Sequence, residues 1–313
     1  MRIAGTSYTD SMVAQINLLA AQQYKLQNQA STGQRIQAPE DDPAGMSQAL
    51  DLQTESSTVA QYAQNISTLQ TRSNAGYSVL QQIQTISNRV GEIATQAGGT
   101  TSPQAMQANA TEVTQLIQQA VQLMNTKSGD QYLFGGTASG QPPFVATTDA
   151  NGNVTGVTYQ GNTSVAEGQI ADTTTLTVDV PGENTSGSGP RGLISDSRYG
   201  ADFFNHLISL QNNLAAGDGN AVSTVDQPAL MKDEDNIVYQ VANYGAVQAR
   251  LVTAASVATT RVTSLHQSIN NVAGADLAQT LSQLTQANNA YQVALQSGST
   301  ILQLKQSLLA YIP

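Results

Sequence analysis

His206 and His266 are the only histidines in this sequence, and there is no cysteine. Without cysteine there are no disulfides, thiolate metal sites, iron–sulfur clusters or cysteine nucleophiles. Two histidines so far apart leave few routes to a Ser–His–Asp triad or a zinc site, and no H-E-x-x-H helix is present. His206 follows Phe203-Phe204 on a short amphipathic stretch, and His266 lies among small polar residues; both read as structural or solvated. Gly187, Gly189 and Gly192 spell G-x-G-x-x-G, but Pro190 lies inside the motif and no helix clearly follows, so the segment reads as a loop. Asp149-Ala150-Asn151-Gly152-Asn153 opens like a calcium loop, yet Val154 stands where that loop needs glycine, and a turn is expected instead. Asp233, Glu234 and Asp235 precede an apolar-periodic run, which suggests a helix start, where the positive end of the helix dipole favours acids. No residue is assigned a catalytic, cofactor-binding or metal-binding role.

Composition narrows the classes further. The chain has 313 residues with 12 Lys+Arg against 22 Asp+Glu, a net charge of −10, and only 11% charged residues. Gln, Asn, Ser and Thr supply most of its polarity. The basic residues are scattered, whereas nucleic-acid binding needs them clustered to displace counterions, so that function is not expected. The N-terminus lacks a continuous apolar stretch of the kind a cleaved signal peptide needs, and no run of 18 apolar residues suggests a membrane span. The expected protein is soluble, without membrane insertion, or leaves the cell by a route that needs no cleaved signal.

The elements follow from proline, glycine and periodicity. No proline falls between 44 and 102 or between 229 and 312, and 13 of the 25 glycines lie between Gly129 and Gly200. The chain thus reads as helical arms around a β-rich middle. Met12, Ile16, Leu19, Gln23, Leu26 and Ala30 alternate steps of four and three. So do Tyr62, Ile66, Leu69, Ser73, Gly76, Leu80, Ile83, Ser87, Val90 and Ala94, with Val113, Leu116, Ala120 and Leu123 continuing the habit after Pro103. The longest series is Leu277, Leu281, Leu284, Asn288, Tyr291, Leu295, Gly298, Leu302, Lys305, Leu309 and Ile312. Such a 3.5-residue repeat predicts long helices packing along their length, as in coiled coils. In the middle, residues 154–159 and 173–180 read as strands, with Asn151-Gly152 as a hairpin turn. The predicted fold is mainly α with an inserted β-rich domain. Terminal helices occupy 1–40 and 272–313, a helical bundle 41–131 and 196–271, and the β-rich domain 132–195. From Val262 to Pro313 only Asp276 and Lys305 are charged, so the terminal stripe suits burial among copies of the chain. Met12, Ile16, Leu19, Leu26, Leu277, Leu281, Leu284, Tyr291, Leu295, Leu302, Leu309 and Ile312 are the candidate self-assembly residues.

Residues 31–45 interrupt one helical arm and begin the next. Gly33 can end the first helix, and Asp41 or Asp42 can cap the second, with Pro43 in its first position. The pattern S-T-G-x-R-I-x-x-P-x-D-D-P-A-G resembles the conserved N-terminal spoke of the bacterial flagellin family. Leu133-Phe134-Gly135-Gly136-Thr137, Asp276-Leu277-Ala278 and the ending Leu308-Leu309-Ala310-Tyr311-Ile312 are similar to further stretches of that family. Gly33, Arg35, Ile36, Pro39, Asp41, Asp42 and Pro43 are the residues that match the interdomain spoke.

The resemblance implies a rod, with both chain ends paired in an inner coiled-coil assembly domain and the β domain at the outer end. It implies a non-enzymatic subunit, without cofactor, that joins hook to filament; the alternative is the filament subunit itself. It implies a ring of copies contacting other hook-associated proteins and flagellin, with an export chaperone at the C-terminal helix. Such subunits are secreted, extracellular parts of the bacterial flagellum, exported by the flagellar type III apparatus without signal cleavage. Asn88 to Ala94 is similar to a family stretch read by an animal innate immune receptor, with Arg89 and Glu92 matching and Gly91 departing. From the residues alone these are two charges on an exposed bundle helix.

Overall fold

The computed structural model describes residues 3–99 and 101–309. Helices α1 (Ile3–Thr32), α2 (Pro43–Ala97) and α3 (Pro103–Met124) come first. Pro43 and Pro103 each open a helix, where their missing N–H has no partner to lose. Nine short strands follow: β1 (Lys127–Ser128), β2 (Gln131–Tyr132), β3 (Phe144–Thr148), β4 (Val154–Tyr159), β5 (Gly168–Ala171), β6 (Thr174–Leu176), β7 (Glu183–Asn184), β8 (Ser195–Asp196) and β9 (Ala201–Asp202). Then come α4 (Phe203–Ala216), α5 (Gly219–Ala221), a π-helical turn (Val222–Asp226), α6 (Gln227–Ala273) and α7 (Leu277–Leu309). Gly217, at φ 74°, ends α4 in the left-handed conformation that glycine adopts without strain. The π-helical turn lies directly ahead of Pro228, whose ring lacks a donor and crowds the preceding turn of a regular helix.

The chain divides into two compact units, Met1–Thr58 with Thr260–Pro313, and Val59–Thr259. In the second, the 4–3 series of α2 is buried: Ile66, Leu69, Ser73, Leu80, Ile83, Ser87, Val90 and Ala94 all lie inside. Ile66 and Leu69 pack with Ile170, Leu176, Val178 and Leu251. Leu80, Ile83, Val90 and Ala94 share a core with Val113 and Ile117 of α3, Phe203, Leu207, Leu210 and Leu214 of α4, and Ile237 and Tyr244 of α6. On α3 the most buried face runs Met106, Ala110, Val113, Ile117, Ala120 and Met124, so Leu116 and Leu123 lie at its margin. Phe134, Phe144, Val154, Leu193 and Ile194 from the β-rich stretch join the same core. Arg89 pairs with Glu112 of α3 at 2.6 Å and with Glu92 at 2.9 Å, so the two charges of that stretch are tied within the unit.

The strands form three antiparallel pairs and one three-stranded sheet of order β7-β8-β9. Asn151-Gly152 is the turn of the β3–β4 hairpin, with Gly152 at φ 86°. The Asp149 carboxylate accepts from the Asn151 and Asn153 amides, as an Asx turn does. The stretch expected as a strand over 173–180 pairs only at Thr174–Leu176. The G-x-G-x-x-G segment is loop: Gly187 and Gly189 have positive φ, and a Cβ on Gly192 would collide with the Ser195 carbonyl.

Asp233-Glu234-Asp235 does not start a helix. The helical course has run since Gly219, where the Asp218 side chain accepts from the Ala221 amide. Asp233 is instead a buried partner: it accepts from the Asp202 amide and meets His206 Nδ1, each at 2.7 Å. Spacing along the helix could not reveal this, because both contacts come from β9 and α4, about thirty residues earlier in the chain. His206 is thus held, partly buried, by a carboxylate of α6.

Candidate assembly site

The spoke residues fold into a compact connection within the first unit. Gly33, at φ 70°, takes the chain out of α1, and its carbonyl accepts from the Ala275 amide at 2.8 Å. The Arg35 amide donates to the Ala273 carbonyl at 2.7 Å, and Gln34 and Gly274 form an antiparallel bridge. The link between α1 and α2 is therefore stitched by backbone to the link between α6 and α7. Arg35 Nη2 adds bonds to the Val272 carbonyl at 2.9 Å and to Asp42 Oδ2 at 3.2 Å. Beneath it, Ile36 is buried with Ala49 and Ala273, and Met46 and Val272 pack around them.

The two aspartates have different tasks. Asp42 caps α2 by accepting from the Gly45 amide at 2.9 Å, and that bond with the Arg35 bond holds its carboxyl below the usual range. Asp41 accepts from Lys25 Nζ at 2.6 Å and from the Gln37 and Ala38 amides, which brings its pKa down to about 2, the lysine contributing most. A Cβ on Gly45 would lie 2.6 Å from Asp42 Oδ2 and 2.7 Å from Ile36 Cδ1, so the turn closes only over glycine. Pro39 and Pro43 are exposed at its edge. Lys25, Gly45, Val272, Ala273 and Gly274 also build this connection, and no signal within residues 31–45 points to the last three. Further along α2, Glu55 pairs with Arg261 of α6.

The terminal helices α1 and α7 pack against each other. Met12, Ile16 and Leu19 are half-buried and Leu26 is buried, which makes the expected stripe the covered face of α1. On α7 the covered positions Thr280, Leu284, Ala287, Tyr291, Ala294, Gly298 and Ile301 again run in steps of four and three, with Asn288 partly covered beside Ala287. Gly298 lets Met12 and Ile16 approach the helix backbone. Leu284 and Tyr291 belong to this covered face. Leu277, Leu281, Leu295 and Leu302 stand beside it, 49%, 53%, 45% and 57% exposed. Val13, Leu18 and Tyr24 of α1 are likewise exposed. Leu309 lies on α7, but its side chain, like the whole of Ile312, is outside the described residues. What the arrangement offers is apolar surface that the pairing of α1 with α7 leaves uncovered.

Residues 6–139 match the bacterial flagellin N-terminal helical region. That match takes in 134 residues, somewhat under half of the chain. It is also similar to flagellar hook-associated protein 3 of Salmonella typhimurium, 31% identical over 163 residues, and the match spans about half of each chain, 51%. The same protein of Escherichia coli K12 is 26% identical over 240 residues, 74% of this chain and 73% of that one. The crystal structure of FlgL from Bacillus cereus superimposes with a TM-score of 0.56 at 19% identity, over 70% of this chain and 99% of that one, which shows a shared fold. The flagellin match ends at residue 139, so it covers the spoke and α1 to α3 but neither α6 nor α7.

Proposed function

We propose that this chain is a structural subunit of the bacterial flagellum that joins hook to filament through self-assembly and contacts with neighbouring axial proteins. The observation that carries the reading is the uncovered leucine row of α7, Leu277, Leu281, Leu295 and Leu302, beside a covered face that α1 already uses. An exposed apolar row on a nearly uncharged helix calls for a partner surface. Similarity to hook-associated protein 3 of two organisms favours the junction over the filament subunit. In this reading residues 1–40 and 272–313 are the assembly domain, 41–131 and 196–271 a bundle, and 132–195 the β-rich outer part of a rod. Copies form a ring between other hook-associated proteins and flagellin. The subunit is not an enzyme; it is exported by the flagellar type III apparatus without signal cleavage, and a chaperone holds its C-terminal helix until then.

The test is a strain lacking the gene, complemented with wild type or with Leu302→Asp. The deletion should leave hooks in place and release filament subunits into the medium. Leu302→Asp should melt like wild type as a monomer and still fail to restore filaments, because an unpaired carboxylate enters a desolvated contact in every copy. Normal filaments on the deletion strain would overturn the function. Normal filaments with Leu302→Asp would remove this face from the interface.

A further inference from the structure

In the second unit, the loop ahead of β8 is clamped to α6 by two buried amides one helical turn apart. Asn236 Nδ2 donates to the carbonyls of Gly192 and Leu193 at 3.2 and 2.7 Å. Gln240 Nε2 donates to those of Arg191 and Gly192 at 3.2 and 3.1 Å. The remaining amide oxygen, Asn236 Oδ1, accepts from Arg191 Nε at 2.6 Å. The guanidinium carbon lies 3.6 Å from the ring centre of Tyr199 and 4.1 Å from that of Tyr239. With Nε committed and two aromatic rings beside the guanidinium, Nη1 and Nη2 are the nitrogens left to donate. Among the described residues those two nitrogens make no hydrogen bond or ion pair. The neighbouring arginines differ, since Arg72 is paired with Asp179 and Arg198 with Asp196.

Arg191 and Tyr239 line a cleft of about 210 Å³ whose other walls include Val178, Val180 and Val247. Asp179 also lines it, but Arg72 answers that charge through two bonds to Oδ1. The charge left unanswered at the cleft is therefore the Arg191 fork. A planar guanidinium edge held rigid matches a carboxylate with two parallel N–H···O bonds, and little conformational freedom remains to be lost on binding.

We propose that this cleft binds a carboxylate against the Arg191 edge, with the ligand's aliphatic part on the three valines. The volume suits a group the size of a glutamate side chain. The carboxylate can come from a small organic acid or from an acidic side chain of a partner protein. Nothing in the proposal rests on the assembly reading.

Amide chemical shifts of the labelled full chain test it. The probes are butyrate, N-acetyl-L-glutamate α-amide, and the neutral N-acetyl-L-glutamine α-amide. Saturable shifts confined to 178–180, 191 and 239–247 are expected with a carboxylate and absent with the glutamine analogue. Saturation by butyrate alone assigns a free acid; saturation by the glutamate amide assigns a side chain. Arg191→Lys keeps the charge without the fork and should bind more weakly than wild type, and Arg191→Gln should not saturate. Val247→Phe, which leaves the clamp untouched and fills the cleft, should abolish binding as well. No saturation with either carboxylate by the wild-type chain, equal binding of the glutamine analogue, or wild-type binding by Arg191→Gln would each overturn the proposal.

Discussion

Met12 lies against the backbone of Gly298: a Cβ at Gly298 would come 3.1 Å from Met12 Cε. One missing side chain on α7 is what admits a large one from α1. Met12 is flexible and this contact is with its far end, so Gly298→Ala should be tolerated, and its better helix propensity, about 1 kcal/mol, should offset the crowding. Gly298→Leu should instead push α1 away and lower the helicity of the terminal arms. Thermal scans by circular dichroism separate the two; a leucine as harmless as alanine would mean that α1 does not pack here.

Gly45→Ala should loosen the spoke. Its methyl would press on both Asp42 Oδ2 and Ile36 Cδ1, a cap and a core residue that cannot both yield, at a cost of about 1–3 kcal/mol. Chemical denaturation reads this loss, and unchanged stability would contradict the close contact.

Asp41 makes the same connection sensitive to acid. Its folded pKa of about 2 lies below the unfolded value of about 3.9. The stabilisation is therefore complete above pH 4 and disappears as pH falls through 2. Asp41→Asn should be less stable than wild type at pH 6 and converge with it only below pH 2. Parallel melting curves across that range would contradict the Lys25 pairing.

His206 gives the second unit the opposite slope. The hydrogen bond to Asp233 raises the imidazole pKa, whereas burial pushes Asp233 itself up despite that partner. The histidine contribution is fully present below its unfolded pKa, about 6.5, and is lost as pH rises through the higher folded value. Wild-type melting temperature should decline over that window, and His206→Gln should remove the decline. A mutant retaining the full slope would assign it to another group.

Gly76 faces the ring of buried Tyr244, whose hydroxyl is pushed above the usual phenol range by burial. A Cβ at Gly76 would lie 2.7 Å from the ring, so Gly76→Ala should destabilise by about 1–3 kcal/mol. Tyr244→Leu should cost stability alone yet relieve part of that penalty in the double variant. Simple additivity would mean that the two side chains do not meet.

Much of this protein is decided by neighbours in the chain. Pro43 and Pro103 start helices, Gly33 ends one and Asn151-Gly152 turns a hairpin because each acts on its own backbone. The 4–3 series of α2 is likewise a property of one helix, and it is buried as its spacing predicts. Tertiary structure decided what those local patterns meet. Arg35 reaches Val272 across 237 residues, and Asp233 goes inside because His206 and the Asp202 amide are there to receive it. The leucines of α7 show the limit within one stripe. A 3.6-residue helix drifts by about 20° for each seven residues of a strict repeat, so the pattern marks an apolar side without choosing which edge a neighbour covers. Once α1 lies along Leu284, Tyr291 and Gly298, Leu277, Leu281, Leu295 and Leu302 remain in solvent.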